Sequence, residues 1–179
     1  MARRALTGVL LVGGASARFG SPKALARLGD ETLAERAWRI LGEACDERLA
    51  VGKAEDGLAL PFAVLDDGAE VRAPLAGLVA GLRAATHDVA IVLPVDVPLV
   101  TADALASLAA GCRDAAVTPA GPLPGAYRRS ALPLLEARLA AGELRLRDAV
   151  ALLDTAVVDV DAALLANVNT REDLARLSA

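Results

Sequence analysis

Aromatic side chains, cysteine and histidine are all scarce in this chain of 179 residues. Aromatics make up 2% of the sequence, with one Trp, one Tyr and two Phe. A surface on which nucleobases stack needs several aromatic rings, so this class of nucleic-acid binding is disfavoured. The sole histidine is His87, and the two cysteines, Cys45 and Cys112, lie far apart without a CxxC motif. Neither a zinc site nor a disulfide framework is expected, and both cysteines are expected to be buried and inert.

Basic runs and long apolar segments are missing as well. The net charge is −4 and no Lys/Arg run occurs, which disfavours broad nucleic-acid binding. No stretch approaches the roughly 18 apolar residues of a membrane span. The apolar start of the chain runs directly into the string GGASARFG, without the pattern of a signal-peptide cleavage site. We therefore expect a cytoplasmic protein that does not bind membranes.

Aliphatic residues, in contrast, are abundant. Hydrophobic residues make up 55% of the sequence and charged residues 23%. This composition disfavours intrinsic disorder and supplies a sizeable core built from Ala, Val, Leu and Ile. The length fits one compact domain over residues 1–179, and no repeat or linker divides it.

Short apolar runs alternate with segments of helical period along the whole chain. We expect strands at 5–12, 48–51, 61–65, 88–95, 115–118, 125–128 and 156–160. We expect helices at 32–44, 75–85, 130–140 and 147–153, with two more beginning at 101 and 170. The alternation predicts an α/β fold with a mostly parallel, Rossmann-like sheet and helices on both faces. In such sheets ligands bind beyond the carboxyl ends of the strands.

A glycine-rich string, VGGASARFGSPK, follows the first predicted strand. Gly13 and Gly14 let the backbone turn sharply and bring N–H groups close to an anion. Arg18 offers a guanidinium fork for phosphate oxygens, and Lys23 offers a mobile positive charge. The string is not a P-loop, because no GK[ST] follows the glycines, and it lacks the GxGxxG dinucleotide fingerprint. It therefore predicts a phosphate-binding loop of another kind.

A carboxylate follows the most apolar predicted strand, VAIVLPV. Asp96 stands at its carboxyl end and is followed by Val97 and the rigid Pro98. Such a carboxylate is well placed to hold Mg²⁺ on a phosphate, and magnesium needs only one or two protein carboxylates. An isolated Asp-x-Pro more often forms a simple turn. The predicted phosphate-binding string is expected at the same edge of the sheet, and it favours a magnesium site at Asp96 over a simple turn.

These strings resemble those of the molybdenum cofactor guanylyltransferase family. The first is similar to the family's LAGGxSxRMGxxK, with Val12 in place of Ala and Phe19 in place of Met. PVDVPL is similar to CDxPxL, and APLAGL is similar to GPLAGL. The resemblance implies that Arg18, Lys23 and Asp96 are catalytic, with Asp96 as the metal ligand. The nucleotide-binding residues that it implies are Leu11, Val12, Gly13, Gly14, Ser16, Arg18, Lys23, Asp67, Pro74, Leu75, Gly77 and Asp96.

Three further segments resemble the family more weakly. An acidic residue of the family contacts the nucleoside; strand context aligns it with Asp67, whereas counting back from Pro74 aligns Asp66, and we prefer Asp67. PGAYRRSALP and NVNTREDL resemble segments that line the pterin side of the cleft, which implies roles for Arg128 and Asn169. The alternative for Asn169 is that it and the next threonine simply cap the last helix.

The resemblance implies an enzyme that transfers GMP from GTP to the terminal phosphate of molybdopterin, with Mg²⁺ as cofactor and pyrophosphate as the second product. Gly14 and the PLAGL segment favour guanine. The implied partners are GTP, molybdopterin or Mo-molybdopterin, cofactor-insertion proteins and acceptor molybdoenzymes. Two alternatives remain open: a molybdopterin cytidylyltransferase or other small-phosphate nucleotidyltransferase, and a non-catalytic nucleotide-binding module that delivers cofactor.

Overall fold

Nine strands and six α-helices form in the residues that the computed structural model describes, which are 5–13, 19 and 21–177. The strands are β1 (Leu6–Leu11), β2 (Arg27–Leu28), β3 (Glu31–Thr32), β4 (Glu47–Gly52), β5 (Val64–Asp66), β6 (Val89–Pro94), β7 (Ala115–Thr118), β8 (Gly121–Arg128) and β9 (Thr155–Val157). The helices are α1 (Leu33–Ala44), α2 (Pro74–Ala84), α3 (Ala102–Gly111), α4 (Leu132–Ala140), α5 (Leu146–Val150) and α6 (Arg171–Leu177). Among these residues, none of the helices combines the length and the apolar character needed to cross a membrane.

Seven strands form one sheet in the order β5-β4-β1-β6-β8-β7-β9. The central strand β1 pairs in parallel with β4 on one side and with β6 on the other. Strand β8 runs antiparallel to both of its neighbours, β6 and β7. The predicted α/β fold with a mostly parallel sheet is confirmed. Because the chain winds outward from β1 in both directions, a crevice opens where β1, β4 and β6 end.

Alternate residues of β1 enter two different parts of the hydrophobic core. Leu6 and Leu10 pack on one face of the sheet together with α1 and α3. Val9 and Leu11 pack on the other face with α2, α4 and α5. A strand buried on both faces needs a continuous apolar run rather than alternation, which is why 5–12 was readable as a central strand. Both cysteines are free and buried, as expected.

The predicted elements differ from the structure mainly at the edges of the sheet. The strand expected at 61–65 forms instead at Val64–Asp66, after a bend at Pro61 and Phe62. The strand expected at 125–128 begins earlier and forms Gly121–Arg128. The small hairpin of β2 and β3, which turns at Gly29 with φ of 66°, was not predicted. Two-residue strands carry too few side chains to show an alternating pattern.

Helix α2 packs directly against β1 at two glycines that face the sheet. A Cβ on Gly81 would lie 2.5 Å from Cγ1 of Val9, and a Cβ on Gly77 would lie 2.8 Å from Cδ2 of Leu11. The close approach is possible only where the helix has no side chain. It sets the amino-terminal end of α2 at the crevice.

Replacing Gly81 with alanine is therefore expected to lower the free energy of unfolding by about 1–3 kcal/mol, the usual cost of overpacking a core. Alanine would otherwise stabilise a helix by about 1 kcal/mol relative to glycine. Urea denaturation measures the difference. In the Val9→Ala background the substitution should cost less, because the clashing methyl groups are gone; an equal cost in both backgrounds would contradict this packing.

Candidate active site

A cleft of about 480 Å³ lies at the edge of the sheet where β1, β4 and β6 end. The three strands end level with one another, since Leu11 is in register with both Val51 and Pro94. The cleft is lined by nine of the residues that the sequence had singled out: Leu11, Val12, Gly13, Lys23, Asp67, Pro74, Gly77, Asp96 and Asn169. The fold thus brings together residues that are distant in sequence, such as Lys23 and Asn169, which are 146 positions apart.

Lys23, Asp96 and Asn169 meet at one point of the cleft. The Lys23 Nζ lies 3.4 Å from Oδ2 of Asp96 and 3.3 Å from Oδ1 of Asn169. The side chains of Lys23 and Asp96 are 16% and 28% exposed, so both remain accessible from the cleft. The Lys23 ammonium thus lies between a carboxylate oxygen and an amide oxygen at the edge of the cleft.

Two contacts hold the loop that carries Asp96. The Asp96 carbonyl accepts a hydrogen bond from the N–H of Val168 at 2.8 Å. Two residues further on, the Pro98 carbonyl accepts a hydrogen bond from Nε of Arg36 at 2.7 Å. Val168 is fully buried, and its neighbours Asn167 and Asn169 both line the cleft. The C-terminal segment is thus locked to the Asp96 loop in a definite register.

A capping interaction at the start of α6 holds the backbone of Asn169. Oδ2 of Asp173 accepts hydrogen bonds from the N–H groups of Asn169 and Thr170, both at 2.9 Å. The Thr170 hydroxyl accepts one from the N–H of Asp173 at 3.1 Å, so Thr170 caps α6, as the alternative given for this segment expects. The backbone hydrogen bonds, that from Asn169 foremost, hold the pKa of Asp173 below its usual range.

The Asp173 cap should make stability depend on pH in the acid range. A lowered pKa in the folded state means that the carboxylate stabilises the fold above its unfolded pKa of about 3.9, and that this contribution is lost as the pH falls through the folded value. The melting temperature of Asp173→Ala should lie below that of the wild-type protein at pH 7, and the gap should narrow at about pH 3. Glu172→Ala removes a negative charge from the adjacent residue, and its melting temperature at pH 7 should lie closer to that of the wild-type protein. A gap for Asp173→Ala that does not change with pH would contradict the assignment.

Of the two adjacent aspartates at the end of β5, Asp67, which directly follows the strand, lines the cleft. Asp66 instead bonds the local backbone, accepting from the N–H of Ala54 at 2.6 Å and that of Gly68 at 2.7 Å. These two N–H groups lower the pKa of Asp66. Asp67 accepts from Nζ of Lys53 at 2.7 Å. The preference for Asp67 over Asp66 thus agrees with where the structure places the two side chains, while its nucleoside contact stays a prediction.

Two of the residues singled out from the sequence lie away from the cleft. Leu75 is fully buried in the core beneath α2. Arg128 lies at the opposite edge of the sheet, in register with Val89 at the start of β6, and pairs with Asp88 at 2.7 Å. The expectation that Arg128 lines the pterin side is corrected on this ground: β8 is antiparallel to β6, so its carboxyl end points away from the cleft.

Gly14, Ser16 and Arg18 of the glycine-rich string lie outside the described residues. Phe19, which is described, is 3% exposed and packs into the core. Its carbonyl accepts a hydrogen bond from Nε of Arg171 at 3.2 Å. The glycine-rich string is thus tied to the first residue of α6.

Sequence reasoning missed Lys53, Arg72, Leu123 and Asn167, all of which line the cleft. Lys53 directly follows β4, so the rule that ligands bind beyond the carboxyl ends of strands could have found it. Asn167 alternates with Asn169 around a buried valine, a period-two signal. Arg72 binds carboxylates of the neighbouring turn, with Nη2 2.6 Å from Glu55. No sequence signal pointed to Leu123, because it lies in the antiparallel strand β8.

The sequence and the fold are both similar to those of MobA-like nucleotidyltransferases. The sequence model of the MobA-like NTP transferase domain matches residues 8–158. A probable molybdenum cofactor guanylyltransferase of Deinococcus radiodurans is 38% identical, covering 97% of this chain and 94% of the relative. One of Chloroflexus aggregans is 34% identical, covering 94% and 91%. The fold matches the crystal structure of molybdopterin-guanine dinucleotide biosynthesis protein A of Archaeoglobus fulgidus with a TM-score of 0.81, at 24% identity over 96% of both chains.

Proposed function

This chain belongs to the MobA-like NTP transferase family, and we propose that it transfers GMP from GTP to the terminal phosphate of molybdopterin. Membership of the family and the names of the relatives make it a nucleotidyltransferase. The observation that carries the proposal is the meeting of Lys23 and Asp96 in the cleft, 3.4 Å apart. Between them they supply the cationic and anionic groups that phosphoryl chemistry needs.

The proposed reaction requires no nucleophile from the protein. An oxygen of the pterin's terminal phosphate forms a bond to the α-phosphorus of GTP. The bond from that phosphorus to the bridging oxygen of the β-phosphate breaks, and pyrophosphate leaves with the electron pair. Because the attacking group is already an anion, the enzyme contributes positioning and neutralisation of charge.

Lys23 would bind oxygens of the departing pyrophosphate, and Arg18 would assist it. The backbone at Gly13 lines the cleft beside them and would approach the triphosphate closely. Asp67 would accept a hydrogen bond from the nucleoside, since its carboxylate faces the same cleft from the end of β5. These roles place the triphosphate between β1 and β6 and the nucleoside towards β4.

The residues at the cleft fit Mg²⁺ as the cofactor. Magnesium prefers oxygen ligands and completes its shell with water and phosphate oxygens, so a single carboxylate suffices. Among the described residues no group of three or more His, Cys, Asp or Glu side chains forms a metal cluster. Asp96 would hold the ion, with Asn169 beside it; an oxygen of each side chain contacts the Lys23 ammonium. When bound, the ion supplies positive charge to the phosphate oxygens.

Pyrophosphate release with Mg²⁺ and molybdopterin, compared among GTP, CTP, ATP and UTP, tests the proposal. Release with GTP alone is the expected result. Release mainly with CTP would keep the reaction but make the protein a cytidylyltransferase. Absence of release with every nucleotide, despite binding, would mean that the acceptor is a different phosphate.

A further inference from the structure

Lys53 is a lysine whose side chain is almost completely buried at the wall of the cleft. It follows β4 directly and is 7% exposed. Its Nζ donates to Oδ1 of Asp67 at 2.7 Å and also to the carbonyl oxygen of Ala69. A buried ammonium is costly unless it is paired and hydrogen-bonded, so these two contacts explain why Lys53 stays inside.

The same contacts determine which oxygen of Asp67 remains for a ligand. Oδ1 accepts from both the Lys53 ammonium and the N–H of Ala69, the latter at 2.9 Å. Lys53 therefore holds the turn formed by Asp67, Gly68 and Ala69 at two points, the carboxylate of Asp67 and the backbone carbonyl of Ala69. Within the described part of the chain, no group donates to Oδ2 of Asp67. The Asp67 side chain is 8% exposed and borders the cleft.

We propose that Lys53 is a positioning residue that holds the Asp67 carboxylate in one orientation, with Oδ2 directed to accept a single hydrogen bond from the nucleoside part of the bound triphosphate. The donor is an O–H or N–H group of that nucleoside. This inference rests on the proposed function, in which Asp67 contacts the nucleoside, and adds the residue that makes the contact possible.

Lys53 should affect nucleotide binding more than turnover. It lies beyond β4, whereas Lys23 and Asp96, assigned to the reacting phosphates, lie beyond β1 and β6. A contact with the nucleoside is the same before and during the reaction, so its loss raises KM and leaves kcat nearly unchanged. A residue with a purely structural role would not separate the two constants in this way.

The experiment compares Lys53→Met, Asp67→Asn and the double variant by calorimetric titration with GTP and Mg²⁺, by steady-state kinetics and by melting temperature. Lys53→Met should weaken binding and raise KM for GTP by about tenfold or more, with kcat changed by less than about threefold. It should also melt earlier, because Asp67 loses its counter-ion. The double variant should recover the melting temperature, since no unpaired charge remains, but should bind as weakly as Asp67→Asn.

Two results would overturn the assignment. One is unchanged affinity in a Lys53→Met protein that melts earlier, which would make Lys53 purely structural. The other is recovery of both stability and affinity in the double variant, which would make the carboxylate unnecessary. Arg113→Met is the matched control, because it breaks an ion pair with Asp154 of 3.0 Å whose side chains are both 63% exposed. It should bind GTP like the wild-type protein.

The titrations separate this inference from the proposed function. If the wild-type protein binds another nucleotide more tightly, or binds GTP without transferring GMP, the proposed reaction fails. The Lys53 and Asp67 variants are then titrated with whichever of the four nucleotides binds the wild-type protein most tightly. The same two results would overturn the assignment of Lys53 as a positioning residue. Binding of none of the four would overturn both.

Discussion

Asp96→Asn is expected to reduce the turnover for nucleotidyl transfer by about 1,000-fold or more, which corresponds to about 4 kcal/mol of transition-state stabilisation. The substitution keeps the size of the side chain and one oxygen but removes the negative charge. That charge is the property assigned to metal binding, and it also pairs with Lys23 at 3.4 Å. Pyrophosphate release at saturating GTP, measured over a series of Mg²⁺ concentrations, gives the effect.

The control for Asp96→Asn is Asp103→Asn. Asp103 lies seven residues further along, in the first turn of α3, and is exposed. Its replacement removes the same charge without touching the cleft and should leave turnover within about twofold, as surface substitutions do. Full turnover in Asp96→Asn, at every Mg²⁺ concentration, would remove Asp96 from the active site.

Lys23→Ala is expected to lower kcat by about 100- to 1,000-fold, the range found when one donor to a developing charge is removed. KM for GTP should rise much less. The reason is that negative charge accumulates on the leaving pyrophosphate only as the reaction proceeds, so Lys23 binds the transition state more tightly than the substrate. Steady-state kinetics at varied GTP separate the two constants.

Arg27→Ala provides the comparison for Lys23→Ala. Arg27 lies four residues away and donates to the carbonyl of Asp30 within the β2–β3 hairpin, so its loss removes a nearby positive charge outside the cleft. Its kcat should stay close to that of the wild-type protein. An unchanged kcat in Lys23→Ala would reject the catalytic assignment, and a rise in KM alone would reduce Lys23 to a binding residue.

Much of the fold could be predicted because the signals are local. The apolar run of β1 is buried on both faces, and the Thr32 and Glu35 pair forms the capping box that starts α1. The short strands at the edges were less predictable. Strand β5 begins only after the bend at Pro61 and Phe62, and β2 and β3 are too short to show a periodic pattern. These elements depend on pairing with segments distant in sequence.

The cleft could be predicted in part for a related reason. In a parallel sheet, residues that follow strands collect at one edge, so Lys23 and Asp96 could be expected to meet although 73 residues separate them. The role of Arg128 rests on the family resemblance alone, and its side chain lies at the far edge of the sheet because β8 runs antiparallel to β6. Strand direction is decided by how the chain returns to the sheet.

The alternation of strands and helices, the glycine-rich string after β1 and the carboxylate after β6 can all be read from the amino-acid sequence, because each depends on residues that are neighbours in the chain. That Asp67 rather than Asp66 faces the cleft, that Lys53 is buried beside it, and that Arg128 lies at the far edge follow from the fold alone. A buried charge requires a partner, and packing across the sheet, which proximity along the chain does not encode, selects that partner.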